Sequence, residues 1–433
     1  MMHRFRPLRF LPFVFALLLL PRPAWASEGA ATPAVWLALA GILLVAKLAG
    51  EVAVRFKQPP VLGELVAGIL LGNLSALGFT GLNFVSTSPV FAFLAELGVV
   101  LLLFEVGLES TLGEMAEVAP SSGIVAALGV AVPFGLGALV SGILQPDAPL
   151  VLHLFLGATL AATSVGITAR VLRDLGALGG REARVILGAA VLDDVMGLVL
   201  LALVTGMATQ GEAPGVGTIL RLVGTAAGFL FGAVLLARTL MPGAFRTAAR
   251  LQTEGVLGAL IIGFCLVLAG VSELAGLAAI VGAFAAGLVL DKVHVEPFGG
   301  TKHDLADLVR PIVAVLAPVF FVRTGMSVDL GGVDGSVLLL AGALTVVAVV
   351  GKLAAGLGVR GGQTDRWLVA IGMVPRGEVG LIFADAGSRI VRHGQPLIPP
   401  PVYVAVVLVV LVTTLITPPW LSARLARSAK APS

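Results

Sequence analysis

Two adjacent carboxylates, Asp193 and Asp194, stand in the stretch Val191-Leu192-Asp193-Asp194-Val195-Met196-Gly197. The stretch lies near the middle of an apolar run from Val185 to Val204. An acid at the centre of a membrane helix costs roughly 2.5–3.5 kcal/mol to insert. A pair carries both penalties plus mutual repulsion, which argues for use rather than packing. Neighbouring residues on a helix point about 100° apart. One carboxylate can therefore face a water-filled cavity while the other faces a second helix. Desolvation raises the pKa of such a group, and a nearby cation lowers it. A proton and a monovalent cation then compete for one oxygen site. That competition suffices for exchange if the site opens alternately to each side. The plainer alternative is a structural acid pair satisfied by hydrogen bonds.

Lys352, in Val350-Gly351-Lys352-Leu353, is a base in another apolar run. It could neutralise one aspartate. It also lies about two turns from Arg360, within snorkelling reach of the interface. Two further segments have the composition of interrupted helices. One is Ala161-Ala162-Thr163-Ser164-Val165-Gly166-Ile167-Thr168, and the other is Gly372-Met373-Val374-Pro375-Arg376-Gly377-Glu378-Val379-Gly380. Non-helical backbone at membrane depth is tolerated where it lines a cavity. It presents carbonyls and half-helix dipole ends to ions. Arg376 and Glu378 are expected to neutralise each other or these ends. For the first segment, an unbroken helix with packed hydroxyls is the alternative. Arg323 is read as snorkelled or loop-paired rather than part of an ion path. Glu64, Glu96 and Glu105 are read as structural acids at helix ends or helix contacts.

These groups require a bilayer around them. The chain has 433 residues, is 58% hydrophobic and only 12% charged, and has a mean hydropathy of +1.04. That leaves too little polar surface to cover a soluble globule. The basic residues sit in short loops between apolar spans, so the excess positive charge implies topology rather than nucleic-acid binding. The single cysteine, Cys265, excludes an internal disulfide, and five scattered histidines lack zinc-ligand spacing. No cofactor is expected.

Residues 1–26 read as a signal peptide. His3, Arg4, Arg6 and Arg9 precede the apolar stretch Phe10 to Leu20, and Ala24-Trp25-Ala26 supplies a cleavage pattern. About thirteen spans follow in the segment 27–433, near 34–56, 60–78, 89–108, 121–143, 151–172, 182–208, 217–240, 253–271, 274–291, 306–326, 334–358, 367–388 and 402–422. Alternate loops carry Arg55 and Lys57, then Arg170, Arg173, Arg181 and Arg184, with further bases at Arg246, Arg250, Lys302, Arg310 and Arg360. The opposite loops hold Asp147, Glu212, Glu273 and Asp334. This bias places the mature N-terminus outside and the C-terminus in the cytoplasm. The fourth to sixth spans correspond in order to the eleventh to thirteenth, an offset of seven that inverts the repeat. No soluble regulatory domain is expected after the last span.

The ordered motifs resemble the monovalent cation:proton antiporter family. Gly63-Glu64-Leu65-Val66-Ala67-Gly68 resembles its second-helix motif, and Glu96-Leu97-Gly98 with Leu103-Phe104-Glu105-Val106-Gly107 its third. The Thr163-Ser164 segment resembles the first crossover helix, and Pro375-Arg376-Gly377-Glu378 the second. Ile186 to Val195 resembles the two-aspartate ion site of the bacterial sodium/proton antiporters of the NapA type, which share the NhaA fold. The resemblance implies an all-α membrane protein with inverted-topology repeats and two crossed broken helices. It implies that Asp194 binds Na+ or Li+ and the proton in turn, and that Asp193 pairs with Lys352. Thr163 and Ser164 would flank the ion, and Glu378 would support the second crossover. A homodimer in the bacterial inner membrane is implied. So is a core domain, around 121–208 and 334–422, moving against dimerisation helices around 34–78 and 217–291. Arg323 departs from the family pattern, as does the signal segment.

Two other readings compete. A Kef-like potassium/proton antiporter usually carries a nucleotide-binding domain and a different pair at the aspartates. An intramembrane aspartyl protease needs its two aspartates on separate helices so that they converge on one water. Here they are consecutive, so an enzyme is not expected.

Overall fold

The computed structural model describes residues 33–108, 112–209, 215–248, 250–251, 253–290, 305–327, 334–361, 364–392 and 395–428. The expected signal segment lies outside them. In chain order the helices are α1 (Pro33–Arg55), α2 (Pro60–Gly72), α3 (Asn83–Thr87), α4 (Pro89–Leu108) and α5 (Leu112–Leu144). There follow α6 (Leu150–Ala161), α7 (Val165–Asp174), α8 (Arg181–Thr209), α9 (Val216–Ala248), α10 (Val256–Leu274) and α11 (Ala279–Val289). The last are α12 (Leu305–Met326), α13 (Gly335–Leu353), α14 (Arg366–Gly372), α15 (Glu378–Arg389) and α16 (Pro400–Ser428). One two-residue antiparallel pair joins Val391–Arg392 to Gln395–Pro396.

Ten segments among the described residues are long and apolar enough to cross a membrane. Three expected spans differ from that pattern. The expected span 60–78 is α-helical only to Gly72; Asn73 (φ −97°, ψ 8°) leads into a 3-10 turn over Leu74–Leu77, which ends on Gly78 with φ +86°. The expected span 274–291 begins only at Ala279, because Gly276 takes φ +77° just before it. Positive φ is open to glycine and ends a right-handed helix. The expected span 367–388 is interrupted between α14 and α15.

Backbone contacts divide the chain into two units, residues up to 99 with 312–331, and 100–311 with 332–433. In the first, Val35, Ile42, Ala46, Phe91, Val319 and Val322 form the buried core. Lys47 donates to the carbonyl of Ala314 at 2.7 Å. That carbonyl has no helical donor four residues on, because Pro318 lacks an N–H. In the second unit the core gathers around α6, with Phe155, Leu156, Val204, Leu344, Phe383 and Val406 fully buried.

Lipid removes the hydrophobic drive between helices, so close backbone approach has to hold them together. Gly107 of α4 and Gly287 of α11 provide it. A Cβ on Gly287 would press on the backbone of Phe104 and lie 2.7 Å from Leu108 N; one on Gly107 would meet Phe284 O and lie 3.0 Å from Gly287 Cα. Gly287→Ala is expected to destabilise the protein by about 1–3 kcal/mol, since the obstacle is backbone. Gly263→Ala in α10, with nothing within 4 Å of the added atom, is expected to be neutral or slightly stabilising. Thermal unfolding of both variants in detergent checks the contrast.

Candidate functional site

Asp193 and Asp194 sit midway along α8, on successive residues, and face different surroundings. Asp193 is 2% exposed, and its Oδ1 lies 3.3 Å from Lys352 Nζ on α13. The Lys352 side chain is wholly buried. Snorkelling to the interface therefore does not describe it, and the ion pair does. Two glycines make room for this lysine. A Cβ on Gly351 would lie 2.8 Å from Pro133 of α5, and one on Gly129 would lie 3.5 Å from Lys352 Nζ.

Asp194 is only partly buried. It lines a cavity of about 10 Å³ with Val165, Leu187 and Val191 on its own side and Leu103, Ile280, Val281 and Phe284 opposite. That volume is close to the least that holds one water.

The two expected interruptions exist. Between α6 and α7, Ala162 (φ −60°, ψ 139°) and Ser164 (φ −88°, ψ 100°) are extended. The reading of 161–168 as an unbroken helix is thereby corrected. Between α14 and α15 the helix stops before Pro375, whose ring excludes helical bonding to the preceding turn. The breaks meet each other. Ser164 N donates to Pro375 O at 2.9 Å, and Thr168 Oγ1 on α7 donates to Gly372 O at 2.6 Å. Gly377 permits this approach, because a Cβ there would lie 2.5 Å from Ser164 Oγ. Thr163 is 3% exposed, and its hydroxyl has no protein partner.

Arg376 is also buried in this break, at 1% exposure. Its guanidinium donates to the carbonyls of Met373 (3.4 Å), Val374 (3.2 Å) and Ala348 (3.2 Å). It thus neutralises the carbonyl end of α14, one of the two roles expected for it. Glu378 opens α15, but its side chain lies outside the described residues.

Arg323 and Glu64 belong to the first unit. Arg323 is half-buried on α12 and donates to Ser86 O at 3.1 Å, in keeping with a loop-paired arginine. Glu64 is buried on α2.

Sequence reading missed several contributors. Thr413 and Thr414 of α16 hold the second break, where Thr413 Oγ1 accepts from Arg376 N at 3.3 Å and Thr414 Oγ1 donates to Arg376 O at 2.6 Å. Paired hydroxyls in the apolar run from Val402 to Leu415 were the available signal. Glu105 is bound by Arg173 and Arg310, two residues read from the sequence as topological bases.

Known proteins share the sequence and the fold of this chain. The chain is 36% identical to the high-affinity Na+/H+ antiporter NhaS3 of Synechocystis, over 89% of this chain and 90% of that protein. It is 37% identical to the Na+/H+-K+ antiporter GerN of Bacillus cereus, over 88% and 94%. A Na+/H+ antiporter of Enterococcus hirae is 31% identical over 87% and 94%. The fold matches the sodium proton antiporter MjNhaP1 of Methanocaldococcus jannaschii with a TM-score of 0.65, at 16% identity, over 92% of this chain and 97% of that one. The transmembrane sodium/hydrogen exchanger pattern runs through residues 40–427, across the aspartates, both breaks and the buried lysine. By that match and these relatives, the chain belongs to the sodium/hydrogen exchanger family of transmembrane proteins.

Proposed function

We propose that this protein exchanges Na+ or Li+ for protons across the membrane, as a secondary active antiporter whose carrier group is Asp194. One observation carries the reading: Asp193 is neutralised by the buried Lys352, while Asp194 beside it faces a cavity. The pair fixes one negative charge, and Asp194 is the carboxylate that lines the cavity. A protonated Asp194 is neutral and stable in an apolar wall. A bound cation makes the ionised form stable instead. The two ligands exclude each other at one carboxylate, and coupling follows.

Thr163 and Ser164 are proposed as further oxygen ligands, since Thr163 offers a buried hydroxyl with no partner. Glu378 is proposed to support the second break. The two interruptions and their meeting support crossed broken helices in inverted repeats. The helices around 121–208 and 334–422 are proposed to move against those around 34–78 and 217–291, carrying Asp194 from one side to the other. Exchange of two protons per Na+ is proposed, with Asp194 and the Asp193–Lys352 pair as carriers. The assembly is proposed to be a homodimer in a bacterial inner membrane, with the mature N-terminus outside and the C-terminus in the cytoplasm. Potassium is a second substrate reading, favoured by the name of GerN, a Na+/H+-K+ antiporter.

In everted vesicles of an antiporter-deficient bacterium, Na+ or Li+ is expected to collapse a respiration-driven pH gradient. Asp194→Asn, which keeps the shape and removes the titrating group, is expected to abolish that response. A response to K+ alone would replace the substrate and keep the site. Persistence of the Na+ response in Asp194→Asn would remove Asp194 from its role.

Lys352→Ala is expected to cost about 3–5 kcal/mol of stability, because it strands a buried carboxylate. Adding Asp193→Asn to it is expected to recover most of that loss. A double-mutant cycle by thermal unfolding in detergent reads the coupling. Additive losses would show that the pair is not an energetic unit.

A further inference from the structure

We propose that Glu105 and Arg173 form a latch that closes the cytoplasmic side of the ion path to Asp194, with Arg310 holding Glu105 from α12, a helix that packs on α4 at Gly98. The proposal rests on the exchange and orientation set out above, and it adds the positioning residues that hold one closed state.

Glu105 lies near the end of α4, with a side chain that is 0% exposed. A buried carboxylate needs partners for both oxygens. Arg173 Nη1 on α7 lies 2.6 Å from Oε2, and Arg310 Nε on α12 lies 3.2 Å from Oε1. The neighbouring charges are balanced as well. Asp307 takes Arg310 Nη1 at 2.6 Å, and Asp174 takes Arg170 Nε at 3.0 Å and lies 4.0 Å from Arg173. Three arginines and three carboxylates thus meet at one end of three helices.

Helices α4 and α7 both run from that end to the Asp194 cavity. Leu103, two residues before Glu105, lines the cavity from α4, and Val165 lines it from α7. Arg173 follows Val165 by eight residues, about 12 Å along the helix axis. Its side chain leans back toward the cavity, as helical side chains do. Cavity and cluster therefore lie along the same seam, α4 and α11 on one side, α7 and α8 on the other.

The two sides of the seam are joined differently from the helices within a side. α4 and α11 touch backbone to backbone through Gly107 and Gly287. α4 and α7 meet here through charged tips. A cavity of about 390 Å³ opens beside those tips, lined by Glu105, Arg173, Gly176, Leu178, Gly179 and Arg310. It gives a released guanidinium room and water. A charge-assisted contact at the edge of a polar cavity can exchange its protein partner for water.

The test uses the full chain in everted vesicles, with Cys265→Ser and a reporter Val165→Cys. A membrane-impermeant thiol reagent is added at the cytoplasmic face. Glu105→Gln and Arg173→Gln are each expected to speed labelling at position 165 about tenfold, the share one charge-assisted hydrogen bond contributes to a two-state balance. Arg173→Lys, which keeps the charge, is expected to restore slow labelling. A staple with no gating role would leave the labelling rate unchanged in all three variants, and that result overturns the latch. If the neutral variants fail to accumulate in the membrane, Glu105→Asp carries the test, since it keeps the charge and shortens the reach to Arg173. Faster labelling there supports the latch, and an unchanged rate overturns it. Na+-driven exchange by the chain with native Val165 is measured in parallel. Its absence would sink the antiporter reading, while the labelling ratio still reports on the latch.

Discussion

Burying charge in a medium that cannot solvate it is the constraint on which this structure depends. Asp193 and Lys352 are 159 residues apart in the chain, and both are removed from solvent. Each alone would cost several kcal/mol; as a pair they hold α8 against α13. The surrounding helices are shaped to let them meet. Gly351 brings α13 onto Pro133 of α5, and Gly129 leaves the space that the ammonium group fills. Once Asp193 is neutralised in this way, Asp194 is the carboxylate of the pair that faces the cavity.

The interrupted helices obey the same constraint applied to backbone. Breaking a helix frees N–H and C=O groups that lipid cannot satisfy. Here the freed groups are matched in turn. Arg376 covers the carbonyls of Met373 and Val374, Thr168 covers Gly372 and Ser164 N covers Pro375. Thr413 and Thr414 cover the N–H and C=O of Arg376 itself. The hydroxyl of Thr163 stands outside this matching, as a buried oxygen with no protein partner.

Much of this site was legible in the sequence, because a charge in an apolar run is a one-dimensional signal. Asp193, Asp194, Lys352 and Arg376 stand out by that criterion alone, and Pro375 marks its break by chemistry. Which charge meets which was not legible. Spacing places Lys352 equally well at the interface or on an aspartate, and the family resemblance rather than the residues favoured the second. Arg173 and Arg310 obey the positive-inside bias, and that sufficient explanation hid their contact with Glu105. The late start of α11 depends on the single left-handed glycine Gly276. Hydropathy does not register it, since a window average passes smoothly over one glycine.

The composition of the Asp194 cavity bears on whether an ion is carried or conducted. The wall opposite the carboxylate is Leu103, Ile280, Val281 and Phe284, side chains without an oxygen among them. A channel strips water from an ion and replaces it with oxygen ligands along the whole path. Among the residues that line the cavity, the side-chain oxygen is that of Asp194 on α8, and the facing helices present hydrocarbon. A cation that has lost its water has no side-chain ligand on that facing wall. In the proposed exchange the cation therefore moves with its ligands rather than along that wall. A proton on the same carboxylate would move in the same manner, without the cation. The bare, ionised carboxylate is the form that the apolar wall resists most strongly, since it would face hydrocarbon with neither ligand bound. That resistance is what would couple the two ligands in the proposed exchange.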